Sequence, residues 1–90
     1  MSRTIYKYRL QQIRDRFSVP MPAGAQIVHV ASQGGWPCIW AIVDTDAPEV
    51  VYDFELRGTG HELGSVGDHI GTFQLDGGGL VFHLFHGATQ

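Results

Sequence analysis

His61, His69 and His86 have more chemistry open to them than any other residues of this sequence, and Glu62 and Asp68 lie close by in the chain. Three such ligands can hold a catalytic zinc or manganese and leave one position for water, which would make the protein a small metal-dependent hydrolase. The spacing, however, matches no known ligand signature, and His83 and His86, three apart in a strand, fall on opposite faces. The plainer reading is histidines that cap apolar faces or hydrogen-bond to loop backbone.

The stretch Arg57 to Thr72, RGTGHELGSVGDHIGT, offers a second chemistry. Arg57 with the amides of Gly58, Thr59, Gly60 and His61 would meet the anionic groups of a ligand in a loop nest. No helix follows, so the dinucleotide fingerprint does not apply, and the glycines are equally well explained as turn residues. Nucleophilic catalysis has weaker support. Cys38 stands between Trp36 and Trp40, an apolar setting, and no serine sits on an elbow-like turn. Asp53 and Glu55 alternate on what reads as the solvent face of a strand. His29, Trp36 and Trp40 share a face of the central hairpin and must meet a second sheet, another subunit, or a stacked ring.

These residues need a scaffold, and the scaffold reads as all-β. Ninety residues make one domain, 1–90, with a modest core. Alternation with period two runs through TIYKYRL, RFSV, QIVHVASQ, WPCIWAIVD, VVYDFELR, HIGTFQLD and GLVFHLFH. About seven strands joined by glycine turns predict a small antiparallel sandwich or a partly open barrel. The first strand, cationic on one face, suits a sheet edge. QQIRDRF reads as loop leading into a short strand, and PMPAGA, Pro20 to Ala25, as a turn.

Gly34-Gly35 and Gly77-Gly78 each predict a two-residue hairpin loop. The first sets Gln33 opposite Trp36, Ala31 opposite Cys38, His29 opposite Trp40 and Ile27 opposite Ile42, with Val28, Val30, Ile39, Ala41 and Val43 on the other face. The second gathers Phe73, Leu75, Leu80, Phe82 and Leu84 on one face, places His69 opposite His86 on that apolar side, and sets His83 opposite Thr72.

Charge narrows the partners. Arg3, Lys7, Arg9, Arg14 and Arg16 stand against Asp15 alone, leaving the first sixteen residues at +4 and the remainder at −7. A mildly acidic domain with its cations on one terminal strand is a poor nucleic-acid binder. One cysteine forms no internal disulfide and no thiolate zinc site. The first residues lack a hydrophobic signal core, and no apolar run approaches the roughly 20 residues that span a bilayer, so neither export by that route nor membrane insertion is expected.

Six segments, TIYKY (4–8), MPAGAQIVHV (21–30), PCIWAIVD (37–44), RGTGHEL (57–63), HIGTFQ (69–74) and GGLVFHLF (78–85), run through nearly the whole chain. In their order and spacing they resemble a family of short uncharacterised proteins of tailed bacteriophages and prophages. The resemblance implies an accessory protein of the host bacterial cytoplasm and transfers no catalytic residue. Such proteins often act by stoichiometric binding of a host protein or of a nucleotide-like signal made by host defences. The expectation is therefore a non-catalytic, homo-oligomeric binding protein without a cofactor, using His29, Trp36, Trp40, Arg57, Gly58, Thr59, Gly60 and His61. The competing expectations are the histidine-based hydrolase and a minor structural component of the virion.

Overall fold

A computed structural model describes residues 2–11 and 14–88. Seven antiparallel strands run in chain order: β1 (Arg3–Arg9), β2 (Arg16–Pro22), β3 (Gln26–Gln33), β4 (Trp36–Asp44), β5 (Glu49–Gly58), β6 (His69–Leu75) and β7 (Leu80–His86). They form two sheets, β1-β4-β3 and β2-β5-β7-β6, stacked as a sandwich that does not close into a barrel. The only helical turn among the described residues is the single 3-10 corner Asp76–Gly78. The body measures 42 × 34 × 18 Å, about two sheets thick.

Both double-glycine corners sit where the alternation demands, but the β6-β7 ladder stops at Leu75 and Leu80, so Gly77-Gly78 lie within a four-residue connection, 76–79, rather than forming a two-residue loop. Gly34 and Gly35 have φ of 62° and 79°, Gly77 and Gly78 of 62° and 96°, so all four are left-handed, as a hairpin twisting with its strands requires. Phe73 therefore faces Phe82, and Leu75 faces Leu80. The core joins Leu10, Met21, Val30, Ile39, Ala41, Val43, Phe54, Leu56, Phe73, Leu75 and Leu84.

Two bulges correct the predicted registers. In β3 the pairing shifts at Val28, so Ile27 opposes Ala41 rather than Ile42 and packs on the core, while Val28 turns outward, 47% exposed. In β6 it shifts at Ile70, so His69 opposes Phe85 rather than His86, while Thr72 keeps its partner His83. An extra residue sends everything beyond it to the other face and bends the strand. The bulged strands are the two that meet where one sheet folds over the other. A β-carbon on Gly71 of β6 would overlap Val30 Cγ1 of β3. Gly71→Ala should accordingly cost about 1–3 kcal/mol. Combined with Val30→Ala, which removes the overlapping methyl, the loss in urea titrations should fall well short of the sum of the two single losses, and additive losses would contradict the contact.

PMPAGA is not all turn. Pro20, Met21 and Pro22 extend β2, with Met21 fully buried, and only Ala23 and Gly24 turn. The prolines fit because β2 is an edge strand. The Asp15 carbonyl accepts from the Leu56 amide, so odd-numbered residues hydrogen-bond to β5 and the even-numbered main chain points away, where a missing N–H costs nothing. Tyr52 Oη fixes the turn, donating to the Pro22 carbonyl at 3.2 Å and accepting from the Ala25 amide at 3.0 Å. Of the segment QQIRDRF, Gln12 and Ile13 lie outside the described residues.

Tyr8, packed at the core margin, has its phenol raised above 10.0 by burial first, then by Tyr6, Glu49 and Tyr52. A folded value above the unfolded one means stability that is intact below about pH 10 and lost as pH climbs through the folded pKa. Tyr8→Phe should therefore soften the alkaline decline, seen as a shallower fall of the urea midpoint between about pH 9 and about pH 11.5. An unchanged slope would remove Tyr8 from the account.

Candidate functional site

The predicted ligand residues fall into two groups on opposite sides of the sandwich. On the outer face of β1-β4-β3, alternation places Arg3, Ile5, Lys7 and Arg9 of β1 beside Trp36, Cys38, Trp40 and Ile42 of β4, and His29, Ala31 and Gln33 of β3 beyond them. All four strands of the other sheet lie behind this face, so none covers it. The His29 and Trp40 rings sit 5.4 Å apart, tilted by 46°. The Arg9 guanidinium lies 4.8 Å over Trp36, whose indole N–H donates to the Leu10 carbonyl. Trp36 is thus tied into the fold, and Trp40 is the ring with a presentable face.

Lys7 reaches from β1 to Gln33 Oε1 on β3, 2.7 Å away, across β4 between the two tryptophans. Cys38, between the two tryptophans on this face, is 2% exposed and places its sulfur 3.6 Å from the Trp36 carbonyl. Such a thiol is packing material rather than a nucleophile. Ile5, 56% exposed, stands opposite Ile42 and completes an apolar strip with Trp40.

The second group is built by the glycine-rich connection. β7 lies between β5 and β6, so the chain leaving Gly58 must pass over β7 to start β6 at His69. It does so as a strap on the sheet's outer face. The strap is anchored by the Thr59 amide to the Val81 carbonyl (3.2 Å) and by the Gly67 amide to the His86 carbonyl (2.8 Å). The crossing is tight at its end, where a β-carbon on Gly67 would come within 2.8 Å of the carbonyl oxygens of His86 and Gly87.

The strap overturns the solvent reading of one carboxylate. Asp53 is exposed as expected, but Glu55 is 4% exposed. Its Oε2 accepts from Arg16 Nε at 2.8 Å and its Oε1 pairs with an Arg57 terminal nitrogen at 3.0 Å. Arg57 also donates to the carbonyls of Leu63, Asp15 and Leu56. Most of its donors are therefore engaged in holding the strap, which leaves little for a ligand anion.

Arg57, Gly58, Thr59, Gly60 and His61 do converge, together with Leu63, His83 and Phe85, on a cleft of about 220 Å³. The sequence did not single out His83 as a member of this group. Its Nε2 is 2.8 Å from Thr59 Oγ1 and its Nδ1 is 2.9 Å from Thr72 Oγ1, which in turn is 3.3 Å from His69 Nε2. Hydroxyls can serve either tautomer of such a ring, so the chain is fully satisfied. Hydroxyls on both sides leave His83 without the carboxylate partner that orients and activates a catalytic imidazole.

The metal candidates are not brought together. The bulge turns His69 outward, 6.4 Å from His83 and 5.2 Å from Phe85 ring to ring, whereas His86, exposed at the end of β7, stacks 6.0 Å from Phe54. Among the described residues no three His, Cys, Asp or Glu side chains are grouped as metal ligands. No helix among them is long and apolar enough to cross a membrane.

A family model described as a domain of unknown function, DUF7352, matches residues 1–90. Nothing among the curated proteins matches the chain, and neither does any solved structure.

Proposed function

The chain belongs to the DUF7352 family, and from its own surface we propose that it is a non-catalytic binding protein, a phage or prophage accessory factor that captures a host protein in the bacterial cytoplasm. One observation carries the reading. The outer face of β1-β4-β3 presents Ile5, Trp40, Ile42 and His29 as a contiguous strip, rimmed by Lys7 and Arg9, with no strand over it among the described residues. Tryptophan and arginine are the residues that dominate protein interfaces, and a flat strip suits a macromolecule better than a small ligand.

Trp40→Ala should abolish capture while leaving the unfolding midpoint and far-ultraviolet spectrum close to those of the parent. The expected loss in affinity is about 30-fold or more. Val51, 68% exposed on the other sheet, is the control, since Val51→Ala should bind normally. Native mass spectrometry of the protein purified from its host reads the result as a stoichiometric complex, present in the parent and absent in Trp40→Ala. A complex that survives Trp40→Ala, or a homodimer that Trp40→Ala converts to monomer, would remove the host target from this face. Stoichiometric zinc or manganese lost in His69→Ala would favour the hydrolase instead.

A further inference from the structure

A further concavity lies on neither face described above. A cleft of about 290 Å³ opens at the seam where the sandwich stays unclosed, between the end of β1 and the free edge of β2. One wall is Arg9, Leu10, Gln11 and Arg14, and the other is β2 from Arg16 to Pro20. Three of the six lysines and arginines of an acidic chain thus line a single opening.

Local carboxylates offset only part of this charge: among the described residues, the ion pair made by an arginine of this cleft is that of Arg16 with Glu55. Glu55 is shared between Arg16 and Arg57. Asp53, on the neighbouring strand, accepts from Ser18 Oγ at 2.6 Å. Asp15 lies in the exposed connection, between Arg14 and Arg16 in the chain. Arg16 spends Nε on Glu55, and its side chain is 77% exposed, so its two terminal nitrogens point out of the pair. Arg9 holds its guanidinium over Trp36 in a cation–π contact, which takes up no hydrogen-bond acceptor. The β2 backbone adds donors. Arg16 and Ser18 are even-numbered positions whose N–H groups turn away from β5, towards the free edge of β2.

We propose that this cleft binds a phosphate-bearing small anion, held by the guanidiniums of Arg9, Arg14 and Arg16 and by the free-edge amides of Arg16 and Ser18. Planar guanidinium forks and backbone amides are the donors that match phosphate oxygens. The volume accommodates a phosphate or diphosphate group and leaves the remainder of a larger ligand at the mouth. The site is separate from the tryptophan strip, and Arg9 is the one residue common to both.

The test is calorimetric titration of the full chain with pyrophosphate and with ADP, at ionic strength held constant with potassium chloride. Saturable one-to-one binding is expected. Arg14→Ala, a change at an exposed loop position, should weaken it about tenfold or more. Arg14→Lys should recover only part, because the charge returns without the fork. Arg3→Ala removes the same charge at the far end of β1 and should change affinity less than about twofold. Tighter binding of ADP would identify an organic phosphate whose ring adds contacts, and tighter binding of pyrophosphate would identify the bare group as the ligand. Absence of saturable binding would overturn the proposal, as would equal weakening by Arg3→Ala and Arg14→Ala. Trp40→Ala should leave this binding intact, so failure here and failure of host-protein capture are read separately.

Discussion

Phe54→Ala should lower the stability of the domain by about 3–5 kcal/mol. Phe54 is fully buried and joins three strands at once. It lies on β5, stacks on Phe17 of β2 at 5.4 Å, and meets His86 of β7 at 6.0 Å. Truncation removes the ring and leaves a hole that strands on both sides, held in register by their ladders, cannot close. Against a total of roughly 5–15 kcal/mol for a small domain, that is a large share. At about 4–8 °C per kcal/mol for a domain near this size, the thermal midpoint should fall by more than about 10 °C. Phe54→Leu keeps most of the volume and should cost less than half as much. Equal losses for the two variants would mean that the ring contacts, not the filled volume, carry the energy.

Glu55→Ala should cost about 3 kcal/mol, at the lower end of the range for breaking a buried ion pair because Arg57 keeps its three carbonyl acceptors. The two arginines should separate cleanly. Arg16 is largely in water, so Arg16→Ala should cost under about 1 kcal/mol. Arg57, 15% exposed at its side chain, holds Leu63 of the strap as well as Glu55, and Arg57→Ala should approach the loss in Glu55→Ala. Urea titrations of the three single variants and of the Glu55→Ala/Arg57→Ala pair would measure the coupling. Similar small losses for all three would mean that the carboxylate is better hydrated than its burial implies.

The strands, the two hairpin corners and the Phe73-to-Phe82 alignment were legible because each is written locally, in alternation and in paired glycines. The bulges were not. A bulge inserts one residue without changing composition, and its cause here is tertiary: β3 and β6 must bend where the sheets meet. Gly71 inside a strand is the one local mark of that approach. The consequence reached the candidate site, since the bulge at Ile70 exchanged His86 for His83 as the histidine near His69. PMPAGA was misleading for a related reason. Proline excludes a residue from a central strand only, and nothing in the segment says that β2 is an edge.

The strap was half legible. Its glycines marked a bent connection, but its path over β7 follows from strand order, which one sequence does not reveal. That path buries Glu55 and engages Arg57, the residue assigned by type to a ligand. The cleft of Arg9, Arg14 and Arg16 was visible only as an N-terminal excess of positive charge, because the wall that makes it a cleft is the free edge of a strand.

The passage of residues 59–68 over β7 also orders the assembly of the chain in time. The β6-β7 hairpin closes over a short loop and can form within about 1–10 μs. When that hairpin docks on β5 as a unit, the same event lays the connection across the sheet. With β1 pairing to β4 and β2 to β5 at separations of 29–41 and 27–39 residues, maturation waits on distant encounters, which places the chain among millisecond-to-second folders.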